Sequence, residues 1–125
     1  MILLDLSYTD PKILSKIDEI KDIYICFNCR IKITEQSFLI NMAGNRPFHT
    51  FTNPAGFSYN LLTFKFCESY RETTSPENRD TWFAGYDWII INCAQCNNLL
   101  GWKYVKNNNN SDFFFGLIRE QIVLI

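Results

Sequence analysis

No apolar run in this chain approaches the length needed to span a bilayer, so a membrane-embedded protein is not expected. An excess of one charge is missing too. Twelve Lys and Arg stand against 13 Asp and Glu, a net charge of −1, and nothing in that balance suggests a nucleic-acid partner. No basic segment precedes the apolar residues of MILLDLSYTDPK and no small-residue cleavage site follows them, which argues against a secretory leader and for a cytoplasmic location. Histidine occurs once, as His49, and a lone histidine in a β-run is more often structural or exposed than catalytic. No general base is evident, so a non-catalytic protein is expected. Internal repeats, heptads and a phosphate-cradling glycine loop are likewise absent. Gly85, Gly101 and Gly116 read as isolated bends or points of close backbone approach.

What remains is enough for one domain with one core, since 125 residues are too few for two that each fold comfortably alone. Residues 11–22, PKILSKIDEIKD, space Ile13, Leu14, Ile17 and Ile20 as on a short amphipathic helix. Residues 1–22 are therefore read as a lead-in, and residues 23–125 as a single β domain. From Tyr24 onward short β-rich runs alternate with turn residues: IKITEQSFLINM, FHTFT, FSYNLLTFKF, WIIIN, LLGWKYV and FFFGLIREQIVLI. The segment ESYRETTSPENRD reads as polar connection, and Asn107 to Asn110 as a solvated hairpin loop.

Cysteine is the first positive signal. Cys26-Phe27-Asn28-Cys29 and Cys93-Ala94-Gln95-Cys96 are two CxxC knuckles with 63 residues between them. A two-residue gap lets a tight turn aim both thiolates at one point, and two such turns supply the four sulfur ligands of a structural zinc. Four thiolates leave no open coordination position, so the metal would staple the fold rather than catalyse. Buried free thiols or a redox pair are the competing readings, and the latter would need only one knuckle in a βα context. Cys67 is left over. It reads as a small buried residue, or more sharply as a redox nucleophile near Lys65.

Aromatic residues are the second signal, at 16% of the chain. Trp82 to Trp88, WFAGYDW, puts four rings into seven residues just before the second knuckle, and Trp102 follows it. The knuckle lies at the tip of a hairpin, and period-two alternation places Trp102 and Tyr104 on one face of the outgoing strand. These rings could be core. Yet 11 phenylalanines can fill a core without a polar atom to satisfy, whereas each indole N–H wants a partner. An aromatic box open on one side is the alternative, with Phe83 and Tyr86 as packing.

The order CxxC, NPAG (Asn53 to Gly56), WFAGYDW, CxxC, GWKY (Gly101 to Tyr104) and FFGL (Phe114 to Leu117) resembles the CULT domain family, the thalidomide-binding zinc domain of cereblon, and especially its small bacterial relatives. The resemblance covers roughly residues 24–118. It implies a mainly β fold, a β-tent of two antiparallel sheets pinned by Cys26, Cys29, Cys93 and Cys96 around one zinc. It also implies a tri-tryptophan cage of Trp82, Trp88 and Trp102, with Tyr104 as a further aromatic, Asn53 and Pro54 beside the ligand and Tyr59 nearby. Backbone near Asp80, Thr81 and Trp82, with an indole N–H, would meet the polar edge of the guest. The implied guest is a cyclic imide: a glutarimide, a thalidomide-type drug, a C-terminal cyclic imide of a protein, or a uridine-like ring. Ala55 and Arg79-Asp80 stand where cereblon has His and Glu-His, which touches preferences for groups projecting from the cage. Binding of a ubiquitin-ligase adaptor is not expected.

Two other readings compete. Related zinc β-folds host methionine-sulfoxide reduction, for which Cys67 would be the nucleophile. An aromatic cage can also read quaternary ammonium groups by cation–π attraction, with Asp80 and Asp87 assisting.

Overall fold

The structure, a computed structural model, describes residues 22–125; the expected lead-in helix lies outside that range. Strands dominate. β1 (Ile23–Cys26), β2 (Lys32–Glu35), β3 (Phe48–Thr52), β4 (Ser58–Phe64), β5 (Tyr70–Glu72), β6 (Tyr86–Cys93), β7 (Leu99–Lys106), β8 (Asn109–Ile118) and β9 (Ile122–Leu124) are joined by turns and two short 3₁₀ segments. They build two antiparallel sheets, one ordered β2-β1-β9 and the other β3-β4-β8-β7-β6-β5.

The main core lies between the sheets. Tyr24, Cys26, Ile33 and Ile122 of the small sheet meet Phe64, Ile91, Phe115 and Leu117 of the large one. Period-two alternation explains how one sheet serves two cores. On β8, Phe115 and Leu117 join this cluster while Phe114 faces the opposite way, into a second cluster with Phe83 and Tyr104. The aromatic residues of WFAGYDW and β7 gather around that second cluster.

Two glycines let β7 and β8 approach closely. A Cβ on Gly101, where φ is +146°, would overlap the Gly116 carbonyl oxygen. A Cβ on Gly116 would meet Tyr104 Cε2 at 3.0 Å. The close-approach reading of both glycines holds, and Gly85 supplies a bend: at φ +87° it follows Ala84 in a turn closed by Tyr86 N–H donating to the Phe83 carbonyl, 3.1 Å.

Three sequence expectations shift. IKITEQSFLINM is not one strand: after Glu35 the chain turns through Gln36–Phe38, and Ile40 N–H then donates to the Thr63 carbonyl of the large sheet. The polar segment after Cys67 contains β5, which pairs Tyr70 with Cys93. The asparagine loop contracts to Asn107 and Asn108, because Asn109 already pairs with Lys106. Asn108 takes a left-handed φ of 64°, which asparagine tolerates better than most residues.

Candidate functional site

The two knuckles are built alike. Each occupies the tip of a hairpin, β1–β2 for Cys26 and Cys29, β6–β7 for Cys93 and Cys96. In the first, Arg30 N–H donates to the Cys26 carbonyl and Cys26 N–H to the Ile31 carbonyl; in the second, Asn97 N–H donates to Cys93 and Cys93 N–H to Asn98. Arg30 and Asn97 hold matching left-handed conformations, φ 70° and 66°. One local design, used twice, brings the four sulfurs within 4.8 Å of one another.

Cys26 Sγ lies 3.7 Å from Cys96 Sγ, and Cys29 Sγ lies 3.5 Å from Cys93 Sγ. A disulfide would hold its sulfurs at about 2.05 Å. A tetrahedron with metal–sulfur bonds of about 2.3 Å has edges of about 3.8 Å, which these separations fit. Burial pushes the Cys26 thiol up to about 12. A cation at the centre would reverse that preference and hold the thiolate form. Cys96 is already acidic, at about 6, through a hydrogen bond from the Asn28 side chain. The cluster suggests zinc, in a closed site with no position for substrate.

On the other face of the large sheet is a cleft of about 430 Å³, lined by Asn53, Pro54, Tyr59, Arg79, Asp80, Trp82, Trp88, Ile90, Trp102 and Tyr104. Strand register assembles it. Trp88 of β6 pairs with Tyr104 of β7, and Ile90 with Trp102, so these four side chains share a face. The turn Phe83–Tyr86 folds Trp82 back over that face, where its ring meets Trp102 edge-on at 5.1 Å and stacks on Phe51 at 5.0 Å. Tyr59 of β4 closes the same side, 5.2 Å from Trp102. Tyr104, 1% exposed, is the floor, held by a stacked Phe114 and an edge-on Phe83.

The rim is polar. The NPAG turn is closed by Gly56 N–H donating to the Asn53 carbonyl, while Asn53 Oδ1 accepts from Phe57 N–H. The Asn53 amide group thus keeps its donors for the cleft. The Trp88 indole N–H donates to the Arg79 carbonyl at 2.8 Å. That bond commits the Trp88 indole, and Trp82 and Trp102 carry the indole N–H groups left without a partner among the described residues.

Every ligand-side residue expected from sequence lines the cleft except Thr81. The Thr81 hydroxyl instead donates to the Tyr86 carbonyl at 2.8 Å and braces the loop. Asp87 also lies elsewhere: it alternates with Trp88 to the opposite face and accepts a hydrogen bond from Asn107. Cys67 is remote from the cleft and lines a separate hollow with Lys32, Phe38 and Phe66. Burial pushes its thiol well above the ordinary range, the reverse of an activated nucleophile. Sequence reading left out Phe51 and Ile90. Ile90 was available from the alternation with Trp88, whereas Phe51 depended on a tertiary contact with Trp82.

Comparison with known proteins agrees with this geometry. The profile of the Yippee-Mis18 family, described as "Yippee zinc-binding/DNA-binding /Mis18, centromere assembly", matches residues 23–121. Protein cereblon of Danio rerio is 28% identical over 101 residues, and that of Gallus gallus 30% over 101, each covering 78% of this chain. The matches take in 23% and 22% of those relatives, so the chain spans less than a quarter of their length. Among the described residues no helix is long and apolar enough to cross a membrane. A metal-ready cluster of four cysteines and an aromatic cleft, within a match covering most of the sequence, show that the chain belongs to the Yippee-Mis18 family, as a cereblon-like domain of the Yippee/CULT type.

Proposed function

We propose that the protein is a non-catalytic binding module, akin to the small bacterial CULT domains, in which one structural zinc holds the sheets and the tri-tryptophan cleft takes a cyclic imide. The cleft carries this reading: three indoles and two phenol rings line about 430 Å³, together with Asn53, Arg79 and Asp80. A small neutral ring gains dispersion and desolvation against indole faces. Its imide N–H and two carbonyls need a matched acceptor and donors, for which the 79–82 backbone, Asn53 and a free indole N–H are at hand. The guest is a glutarimide, a thalidomide-type drug, a protein C-terminus bearing a cyclic imide, or a uridine-like ring. A cytoplasmic setting suits reduced zinc thiolates, and the reading invokes no ubiquitin-ligase adaptor, nucleic acid or membrane.

A quaternary ammonium guest is the second reading, favoured by Asp80 at the rim. Competition decides between them. Glutarimide added against tetramethylammonium, followed by tryptophan fluorescence, is expected to show a saturable response to glutarimide that the ammonium ion leaves unchanged. A response to tetramethylammonium alone would overturn the imide reading.

A further inference from the structure

We propose that the Tyr104 hydroxyl sets the specificity of the cleft, selecting cyclic imides with a hydrogen-bond acceptor on the ring edge opposite the imide over glutarimide itself. The inference rests on the ligand class proposed above and adds a choice within it.

Tyr104 lines the cleft yet is 1% exposed, the most deeply set of the aromatic residues that line it. Its ring is held on three sides: stacked on Phe114 at 5.0 Å, edge-on to Phe83 at 4.8 Å, and against Gly116, where a Cβ would come within 3.0 Å of it. A phenol held this way cannot swing out to bring its hydroxyl to bulk water. The hydroxyl makes no hydrogen bond with any described residue. Burial is the one influence on its acidity, and it raises the pKa, so the group is a neutral O–H. Among the described residues the single sealed and unpartnered side-chain nitrogen or oxygen is His49 Nε2. The Tyr104 hydroxyl is therefore not sealed, and the open space that the structure sets against Tyr104 is the cleft it lines.

An oriented, buried donor at the bottom of an apolar cleft discriminates strongly. A guest that offers an acceptor gains the bond, and a guest that offers only methylene displaces solvent from the hydroxyl and leaves it unpaired. The polar groups for an imide edge stand at the mouth, on Asn53 and the exposed Arg79 and Asp80. The edge that descends to Tyr104 is then the one opposite the imide nitrogen. In glutarimide that edge is CH₂. In morpholine-3,5-dione, otherwise the same ring, it is an ether oxygen.

The test measures binding of glutarimide and morpholine-3,5-dione to the full, metal-loaded chain and to Tyr104→Phe, by tryptophan fluorescence with metal content checked. The wild type is expected to prefer morpholine-3,5-dione by on the order of tenfold, and Tyr104→Phe to abolish or invert that order. Equal affinities in the wild type, or the same preference in Tyr104→Phe, would overturn the inference while leaving imide binding intact. If neither imide binds the wild type, the imide reading fails and this inference with it.

Discussion

The indole of Trp88 is bonded to Arg79, and the backbone of Trp88 is paired with Glu77 two residues earlier in the same loop. The Trp88 N–H and C=O exchange bonds with Glu77 at 2.7 and 3.0 Å, and the indole N–H donates to the Arg79 carbonyl at 2.8 Å. One wall of the cleft thereby holds the loop that forms its mouth, including Asp80 in a left-handed conformation at φ 54°.

Trp88→Phe keeps an aromatic wall and removes only the indole bond and some surface. Glutarimide affinity is expected to fall about fivefold, in line with about 1 kcal/mol for one net hydrogen bond. Amide exchange is expected to speed up at Thr81, whose N–H is bonded to Asn78 at 3.4 Å. Unchanged exchange there would show that the indole does not hold the loop.

The two glycines of β7 and β8 separate stability from binding. Gly101→Ala forces a Cβ into a backbone oxygen at a φ that L-residues rarely adopt, and is expected to destabilise by about 3 kcal/mol or more. Gly116→Ala meets the Tyr104 ring instead, at 3.0 Å. Its stability loss is expected to be smaller, about 1–2 kcal/mol, with a disproportionate loss of guest affinity as the floor moves. Urea unfolding and a binding titration on both variants check the contrast.

His49 makes stability depend on pH. It is 2% exposed, stacks on Phe51, meets Phe83 edge-on and leaves Nε2 without a partner. Burial lowers its pKa below the ordinary 6.5, with a backbone hydrogen bond to Arg46 opposing. The unfolded chain therefore binds the proton more readily than the folded one, so this contribution is fully present above about pH 6.5 and is lost as pH falls toward the folded value. His49→Leu is expected to flatten the pH dependence of urea stability in that window, with bound metal measured in parallel. An unaltered slope would place the proton elsewhere.

Much of this was legible in the chain because it is encoded locally. Paired CxxC spacing announces four converging thiolates, and period-two alternation from Trp88 and Trp102 announces a shared face. Other features were hidden because they depend on distant partners. Phe51 becomes a cleft support only by stacking on Trp82, 31 positions later in sequence. β5 is only Tyr70, Arg71 and Glu72, inside a polar segment, and takes strand form through pairing with β6. The orientation of Asp87 follows from alternation with Trp88, yet its commitment to Asn107 needs the hairpin turn.

Metal removal should act on the fold as a whole. Cys26 and Cys29 hang from one sheet and Cys93 and Cys96 from the other, so a bound ion would join the two hairpin tips directly. Chelation, or Cys93→Ser, is expected to lower the melting temperature by tens of degrees, since structural zinc contributes its binding free energy to folding. A melting temperature insensitive to chelator would make the cluster a set of buried thiols.

The most direct test of the account is a glutarimide titration followed by tryptophan fluorescence, with zinc counted on the same sample and Trp102→Ala run beside the wild type. One zinc and one saturable imide site per chain are expected, with Trp102→Ala retaining the zinc and losing the site. A wild type that holds zinc but shows no response to imide, with Trp102→Ala altering stability alone, would contradict it: the cleft would then be packing.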